Sequence, residues 1–187
     1  MVEAWEGASL VRARGGDRAA FGELVRHYQD RVFAFLMRML GNRDEAMDLT
    51  QDTFMKAYLA LPQWQPQAQF NTWLFLIARN AAIDLLRRRG REQLTSLDDE
   101  EMPADAAPTP EQQLDATRRI GLLSRSLDKL PAEQREVLLL REIEDMSYAE
   151  IATVLAVNEG TVKSRLARAR VAALAHYRQY AGEDGNG

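Results

Sequence analysis

The stretch Glu150–Arg170, EIATVLAVNEGTVKSRLARAR, decides the fold prediction because it reads as two short helices joined by a tight turn. Ser147 and Glu150 have the Ser-x-x-Glu spacing of a capping box, which predicts a helix start. Asn158 is suited to cap the second helix. Apolar residues recur at one-turn spacing on each helix, namely Tyr148, Ile151, Ala152 and Leu155 on the first and Val162, Leu166, Ala169 and Ala173 on the second. The pattern predicts a helix-turn-helix.

The opposite face of the second helix combines small residues with cations. Small residues let a backbone approach closely, and flanking cations can contact two phosphate strands, as in a helix that enters the DNA major groove. About four phosphate contacts would give a log–log salt slope of roughly −3.6. The alternative is a helical hairpin with a solvated basic face, which the cap and the two apolar stripes disfavour. The predicted face carries Gly160, Thr161, Lys163, Ser164, Arg165, Ala167, Arg168, Arg170 and Val171.

Apolar spacing in the first half of the chain is also helical. One helix runs through Phe21 to Leu40 and is stopped by Gly41-Asn42, and a second runs from about 43 to 61. Pro62 and Pro66 predict a loop, and a third helix follows from about 71 to 89. Three amphipathic helices with short connections predict a compact bundle.

Between these halves the composition changes to EQLTSLDDEEMPADAAPTP, which is acidic, contains proline and lacks a periodic apolar face. Such a segment is typical of a flexible, charge-extended linker. The predicted fold class is therefore all-α, with two small helical domains joined by a flexible acidic linker and a helix-turn-helix in the second. The predicted division is an N-terminal segment 1–15, a helical domain 16–91, the linker 92–110, the helix-turn-helix domain 111–180 and a disordered tail 181–187.

Composition disfavours an enzyme. The 187 residues include no cysteine, which excludes disulfides and thiol catalysis, and the two histidines, His27 and His176, have no evident catalytic partner. Neither a phosphate-binding glycine loop nor a metal-ligand spacing is present, and DDEE lacks the alternation of a calcium loop. We therefore predict no catalytic residue, no metal site and no cofactor. Without a signal-peptide core or a membrane-length apolar run, the chain is expected in the cytoplasm without membrane insertion.

The stretch 130–170, LPAEQREVLLLREIEDMSYAEIATVLAVNEGTVKSRLARAR, resembles the C-terminal domain of the extracytoplasmic function (ECF) sigma factors, a group within the bacterial sigma-70 family. In that family this domain reads the minus-thirty-five promoter element. The family often has glycine and then proline or serine near the turn, where this chain has Ala156 and Asn158. The resemblance assigns minus-thirty-five contacts to Thr161, Lys163, Ser164, Arg165 and Arg168.

The stretch 41–61, GNRDEAMDLTQDTFMKAYLAL, resembles the family segment that docks on core RNA polymerase. The resemblance assigns polar contacts to Asp48, Gln51 and Asp52, whereas without it these side chains are an ordinary solvated face. Met55 and Leu59 lie on the same outward side. They either anchor the partner or pack against a neighbouring helix.

The stretch 63–91, QWQPQAQFNTWLFLIARNAAIDLLRRRGR, resembles the part that opens and reads the minus-ten element. Single-stranded bases are held by aromatic side chains, amides and cations. Trp73 fits core packing as well as base contact, whereas an amide at Asn80 favours a base-reading role. The predicted minus-ten contacts are Phe70, Asn71, Trp73, Asn80, Arg87 and Arg88.

The resemblance extends over about 16–178 with its motifs in family order. It implies that a monomeric chain binds core RNA polymerase, duplex DNA at the upstream box and single-stranded DNA at the downstream box. It further implies an anti-sigma factor and a role in a stress or envelope response, with the polymerase performing the chemistry. The alternative is a helix-turn-helix regulator whose first domain senses a ligand or dimerises, which the motif order disfavours.

Overall fold

The computed structural model describes residues 4–65, 68–93 and 111–183, and these ranges contain helices and no strand, which confirms the all-α prediction. The linker predicted over 92–110 lies outside the described residues from 94 onward. The final helix continues through Glu183, into the predicted tail, and 184–187 lie outside the described residues. The helices are α1 Ala4–Arg14, α2 Arg18–Leu40, α3 Arg43–Ala60, α4 Phe70–Gln93, α5 Glu111–Asp128, α6 Ala132–Leu138, α7 Tyr148–Leu155 and α8 Glu159–Glu183.

Local sequence signals set the bounds of α2 and α3. The Asp17 carboxylate accepts hydrogen bonds from the backbone N–H groups of Ala19 and Ala20 and so caps α2. Gly41 ends that helix in the left-handed region at φ 67°, which glycine adopts without steric cost. The Asn42 side chain then accepts from the Glu45 N–H and starts α3, so the predicted break at Gly41-Asn42 is confirmed.

The first residues form α1, an element that the sequence patterns did not indicate. The helix packs along α2, where the Tyr28 hydroxyl donates to the buried Glu6 carboxylate at 2.8 Å. Ser9 Oγ likewise donates to Glu23 at 2.6 Å. These contacts, of which the Tyr28–Glu6 bond is fully buried, make α1 part of the first helical bundle.

The two halves of the chain pack against each other in the structure. Helix α4 lies along α7, and the C-terminal part of α2 meets α5 and α6. A 3-10 turn, Leu61–Gln63, leads out of α3, and a π-helical turn, Leu139–Ile143, leads out of α6 toward α7. This packing joins α3, α4 and α8, whose polar faces carry the predicted contacts, in one packed structure.

Candidate functional site

The helix-turn-helix forms from α7, a tight turn and α8. Ser147 and Glu150 make the predicted reciprocal capping box at the start of α7. Ala156 ends α7 at φ 52°, and Asn158 Oδ1 accepts from the Thr161 N–H at 2.8 Å to begin α8. Of the residues predicted to face inward on α8, Val162, Leu166 and Ala169 are buried and Ala173 is half-buried.

The outward face of α8 carries the side chains that are predicted to contact the minus-thirty-five element. Lys163, Ser164 and Arg168 are exposed, and the Arg168 Nε donates to the Ser164 carbonyl at 3.3 Å. Thr161 is half-buried, and its hydroxyl donates to Asn158 Oδ1 at 3.0 Å. This face is basic and is lined with small side chains, which suits close approach to a phosphate backbone.

Two arginines of α8 are already paired with acids of the same domain. Arg165 makes an ion pair with Glu133 at 3.2 Å, and its side chain is 21% exposed. Arg170 contacts Glu142 through both Nε and Nη2, at 3.0 and 2.6 Å. Both pairs tie α8 to the preceding helices. Lys163 and Arg168 are therefore the cations of the face without an acidic partner among the described residues.

The aromatic residues at the start of α4 differ from expectation. Phe70 is only 2% exposed and contacts Tyr28, Trp64 and Trp73, so its ring is a core residue that cannot stack on a base. Trp73 is half-buried beside Trp64, with ring centroids 5.4 Å apart and planes 32° from parallel. Trp64 is not among the predicted minus-ten contacts, although its position in the proline-flanked loop indicates that it lies near them. The aromatic surface here belongs to Trp64 and Trp73.

The polar residues of α4 are spread along the helix. Asn71 is half-buried, and its Oδ1 accepts from the Thr72 N–H at 2.6 Å. Asn80, by contrast, is exposed, and its Oδ1 accepts from Arg79 at 3.3 Å. Arg87 and Arg88 are exposed near the C-terminal end of the helix. The structure therefore leaves Asn80 and Arg88 open to a ligand, whereas Arg87 is exposed but paired with Asp84 at 3.6 Å and Asn71 is only partly accessible.

The predicted strip on α3 is exposed along its whole length. Asp48, Gln51 and Asp52 face solvent together with Met55, which is 61% exposed, and Leu59, which is 68% exposed. Beside the strip, α2 and α3 enclose an open groove of about 380 Å³, lined by Phe21, Val25, Phe54, Met55 and Tyr58 among others. Exposure excludes the alternative that Met55 and Leu59 pack against a neighbouring helix. An acidic rim around apolar side chains is a typical protein-docking surface.

The described residues contain no group of three or more acidic or histidine side chains placed to hold a metal ion. None of the described helices is long and apolar enough to cross a membrane.

Two matches to known families cover the two helical domains. Residues 24–92 match Sigma-70 region 2, and residues 120–172 match Sigma-70, region 4. The RNA polymerase sigma-H factor of Pseudomonas aeruginosa is 37% identical over 171 residues, which cover 87% of this chain and 89% of the relative. The ECF RNA polymerase sigma factor SigW of Bacillus subtilis is 33% identical over 87% of this chain and 91% of its own length. This chain belongs to the ECF sigma factors. The SigE factor of Mycolicibacterium smegmatis is 41% identical over 160 residues. This match covers 83% of this chain and 62% of the length of the relative.

Two solved structures resemble this ECF sigma factor over most of its length. One is the sigma factor RpoE of Bartonella quintana in complex with the anti-sigma factor NepR, with 29% identity, a TM-score of 0.70 and coverage of 84% of this chain and 96% of the other. The other is CnrH in complex with the cytosolic domain of CnrY, with 30% identity, a TM-score of 0.66 and coverage of 91% and 96%.

Proposed function

We propose that this sigma factor binds core RNA polymerase in the cytoplasm, reads two promoter elements and directs transcription initiation. The observation that supports it best is the separation of its surfaces, with an exposed acidic and apolar strip on α3 and basic or base-reading groups on α4 and α8. One chain thus offers a protein-docking surface and two DNA-facing surfaces. The polymerase supplies the chemistry, and the sigma factor supplies placement.

The proposed core-binding surface is the α3 strip, Asp48, Gln51, Asp52 and Met55, and the groove beside it. Apolar anchors supply most of the affinity at such interfaces, and surrounding charges steer encounter with a basic partner. Met55 at 61% exposure is the best-placed anchor, because it also lines the groove.

The proposed minus-thirty-five contacts are made by α8 in the major groove of duplex DNA. Ser164 and Arg168 face outward at its centre, with Lys163 and Thr161 beside them. Because Arg165 is held by Glu133, we assign it a weaker phosphate contact than Lys163 or Arg168.

The proposed minus-ten surface lies on α4 and the loop before it. Asn80 hydrogen-bonds an unstacked base, Trp73 with Trp64 offers an aromatic platform, and Arg87 and Arg88 contact the backbone of the opened strand. Asn71 contributes a partly accessible amide, and the buried Phe70 supports Trp73 by packing against its ring.

We further propose control by an anti-sigma factor, in a stress or envelope response. The support is the likeness to RpoE, which was solved in complex with the anti-sigma factor NepR, and to CnrH, which was solved in complex with the cytosolic domain of CnrY. The free sigma factor is proposed to be a monomer.

In-vitro transcription tests the proposed function. Purified chain is mixed with bacterial core polymerase that lacks its own specificity factor, and transcripts are sequenced from a promoter library. We expect start sites that share two boxes and depend on this chain. Tight binding of the free protein to duplex DNA as a dimer, with no transcription, would instead identify a conventional helix-turn-helix regulator.

A further inference from the structure

The contact between the two domains contains buried charges that each domain cannot satisfy alone. Glu136 on α6 has a fully buried side chain, and Arg79 on α4 binds both of its oxygens, at 2.7 and 3.1 Å. Glu144, after the π-helical turn, is 2% exposed at its side chain and is paired with Arg31 of α2 at 2.8 Å. A buried carboxylate needs such a partner, because desolvation penalises an uncompensated charge.

Arg31 is held in place from the side of the first domain. Its guanidinium carbon lies 5.3 Å from the Tyr28 ring centroid and 5.9 Å from that of Phe75. Cation–π attraction of this kind holds the Arg31 guanidinium against two rings of the first domain. The first domain therefore presents Arg31 and Arg79 toward two carboxylates of the second.

A third contact completes the end of a helix across the boundary. The last carbonyls of a helix have no partner within it and favour a cation nearby. At the end of α2, Arg89 of the same domain donates to the Leu40 carbonyl at 3.1 Å. Arg135 of the other domain donates to the Met39 carbonyl at 2.8 Å and to that of Arg38 at 3.4 Å.

Arg135 is also fixed within its own domain. Its Nη2 donates to the Asp128 carbonyl at 2.7 Å, and its side chain is only 13% exposed. A fourth contact joins α4 to α7, where the Thr72 hydroxyl donates to the Glu150 carboxylate at 3.2 Å. The boundary thus has directed polar contacts on α2 and on α4.

We propose that these contacts form a closing surface, Arg31, Arg79, Glu136, Glu144 and Arg135, by which the free sigma factor folds its second domain onto its first. In this closed form α7 covers part of α4, beside the proposed minus-ten surface. Opening separates each arginine from its partner and allows the two domains to occupy separate sites. The partner for this surface is therefore the chain itself. Only this consequence for promoter binding rests on the proposed function.

A distance measurement on the free protein tests the closed form. The chain contains no cysteine, so Lys56→Cys on α3 and Ala175→Cys on α8, both at exposed positions, accept one spin label each. Pulsed electron paramagnetic resonance should give one narrow distance for the parent. Arg79→Glu and Glu136→Arg should each broaden and lengthen it, lowering the closed-to-open ratio by at least about tenfold, since one buried charge loses its partner. Combining the two substitutions should restore the narrow distance.

Glu133→Gln is the matched control, because Glu133 pairs with Arg165 inside the second domain and should leave the distance unchanged. Arg31→Ala, at a different contact, covers the case in which a substitution at Glu136 unfolds its domain, which circular dichroism would show. A broad distance in the parent, or a narrow one in every variant, overturns the proposal. Since neither polymerase nor DNA is present, failure here is separate from failure of the proposed function.

Discussion

Ala156 occupies a backbone conformation that favours glycine. Its φ of 52° lies in the left-handed region, which costs an L-residue about 1–2 kcal/mol. Its amide nevertheless serves the turn, donating to the Thr153 carbonyl at 3.3 Å. The turn therefore forms with alanine, at some cost in stability.

Replacing Ala156 with glycine should stabilise the second domain. Relief of the left-handed conformation outweighs the greater freedom of glycine in the unfolded chain, for a net gain of about 0.5–1 kcal/mol. Urea denaturation followed by circular dichroism measures it. Ala167→Gly, at an exposed position in the interior of α8, is the control and should instead lose about 1 kcal/mol. Equal losses at the two positions would show that Ala156 is not strained.

The pKa of Glu144 is raised by burial, which outweighs the opposing charges of Arg31 and Arg38. A carboxyl whose pKa is higher in the folded state holds its proton more tightly there. Its stabilising contribution is complete below the ordinary value of 4.5 and is lost as pH rises through the raised pKa. The pH dependence thus has the opposite sign to that of a carboxylate stabilised by its ion pair.

Glu144→Gln should remove this pH dependence. From pH 4.5 up through the raised pKa, the free energy of unfolding of the parent should decline relative to that of the variant. Urea denaturation of both proteins at a series of pH values measures the difference. A parent that gains stability over the variant across the same range would contradict the assignment.

At the scale of the element, local rules predicted helix ends and faces well. The capping box at Ser147, the stop at Gly41 and the inward face of α8 depend on neighbours within a few residues, so the sequence displays them. The burial of Phe70 and the pairing of Arg165 depend on other helices, which no local pattern reports. Helix α1 was missed for the same reason, because its contacts lie on α2.

The face of α8 gives a prediction for promoter binding. Arg168→Ala, in sigma factor assembled with core polymerase, should weaken binding of the upstream duplex and make the log–log salt slope shallower by about 0.9, the share of one phosphate contact. Arg178→Ala, an exposed arginine later on α8, is the matched control for charge. Filter binding or fluorescence anisotropy over a salt series measures both. Identical slopes for the two variants would remove Arg168 from the interface.

Helix α4 carries a second prediction. Asn80→Ala should change base preference in the downstream box with little change in overall stability, because Asn80 is exposed. Transcription from a promoter library randomised at that box measures the preference. Thr72→Ala, at a buried position on the same helix, should instead alter stability. An unchanged base preference in Asn80→Ala would argue against base reading.

Across the whole molecule, the acidic strip on α3 and the basic side chains of α4 and α8 lie on different surfaces, although the net charge is only −4. Asp48→Ala combined with Asp52→Ala should weaken core polymerase binding on the order of tenfold without unfolding the domain. Asp30→Ala combined with Asp84→Ala removes the same charge from exposed positions outside the α3 strip. Competition for core polymerase against a labelled parent chain measures both pairs. Equal weakening would show a general charge effect.

Because Arg135 of the second domain caps the end of α2, the final turn of α2 reports whether the two domains are in contact. While Arg135 holds the Met39 carbonyl, the final turn of that helix is secured from outside its domain. When the two domains separate, this carbonyl becomes exposed to water and the final turn of α2 frays. The backbone amides of Met37 to Leu40 should then exchange hydrogen for deuterium faster. Hydrogen–deuterium exchange mass spectrometry of the peptide that contains Met37 to Leu40 would therefore detect any ligand that separates the two domains, without a spin label.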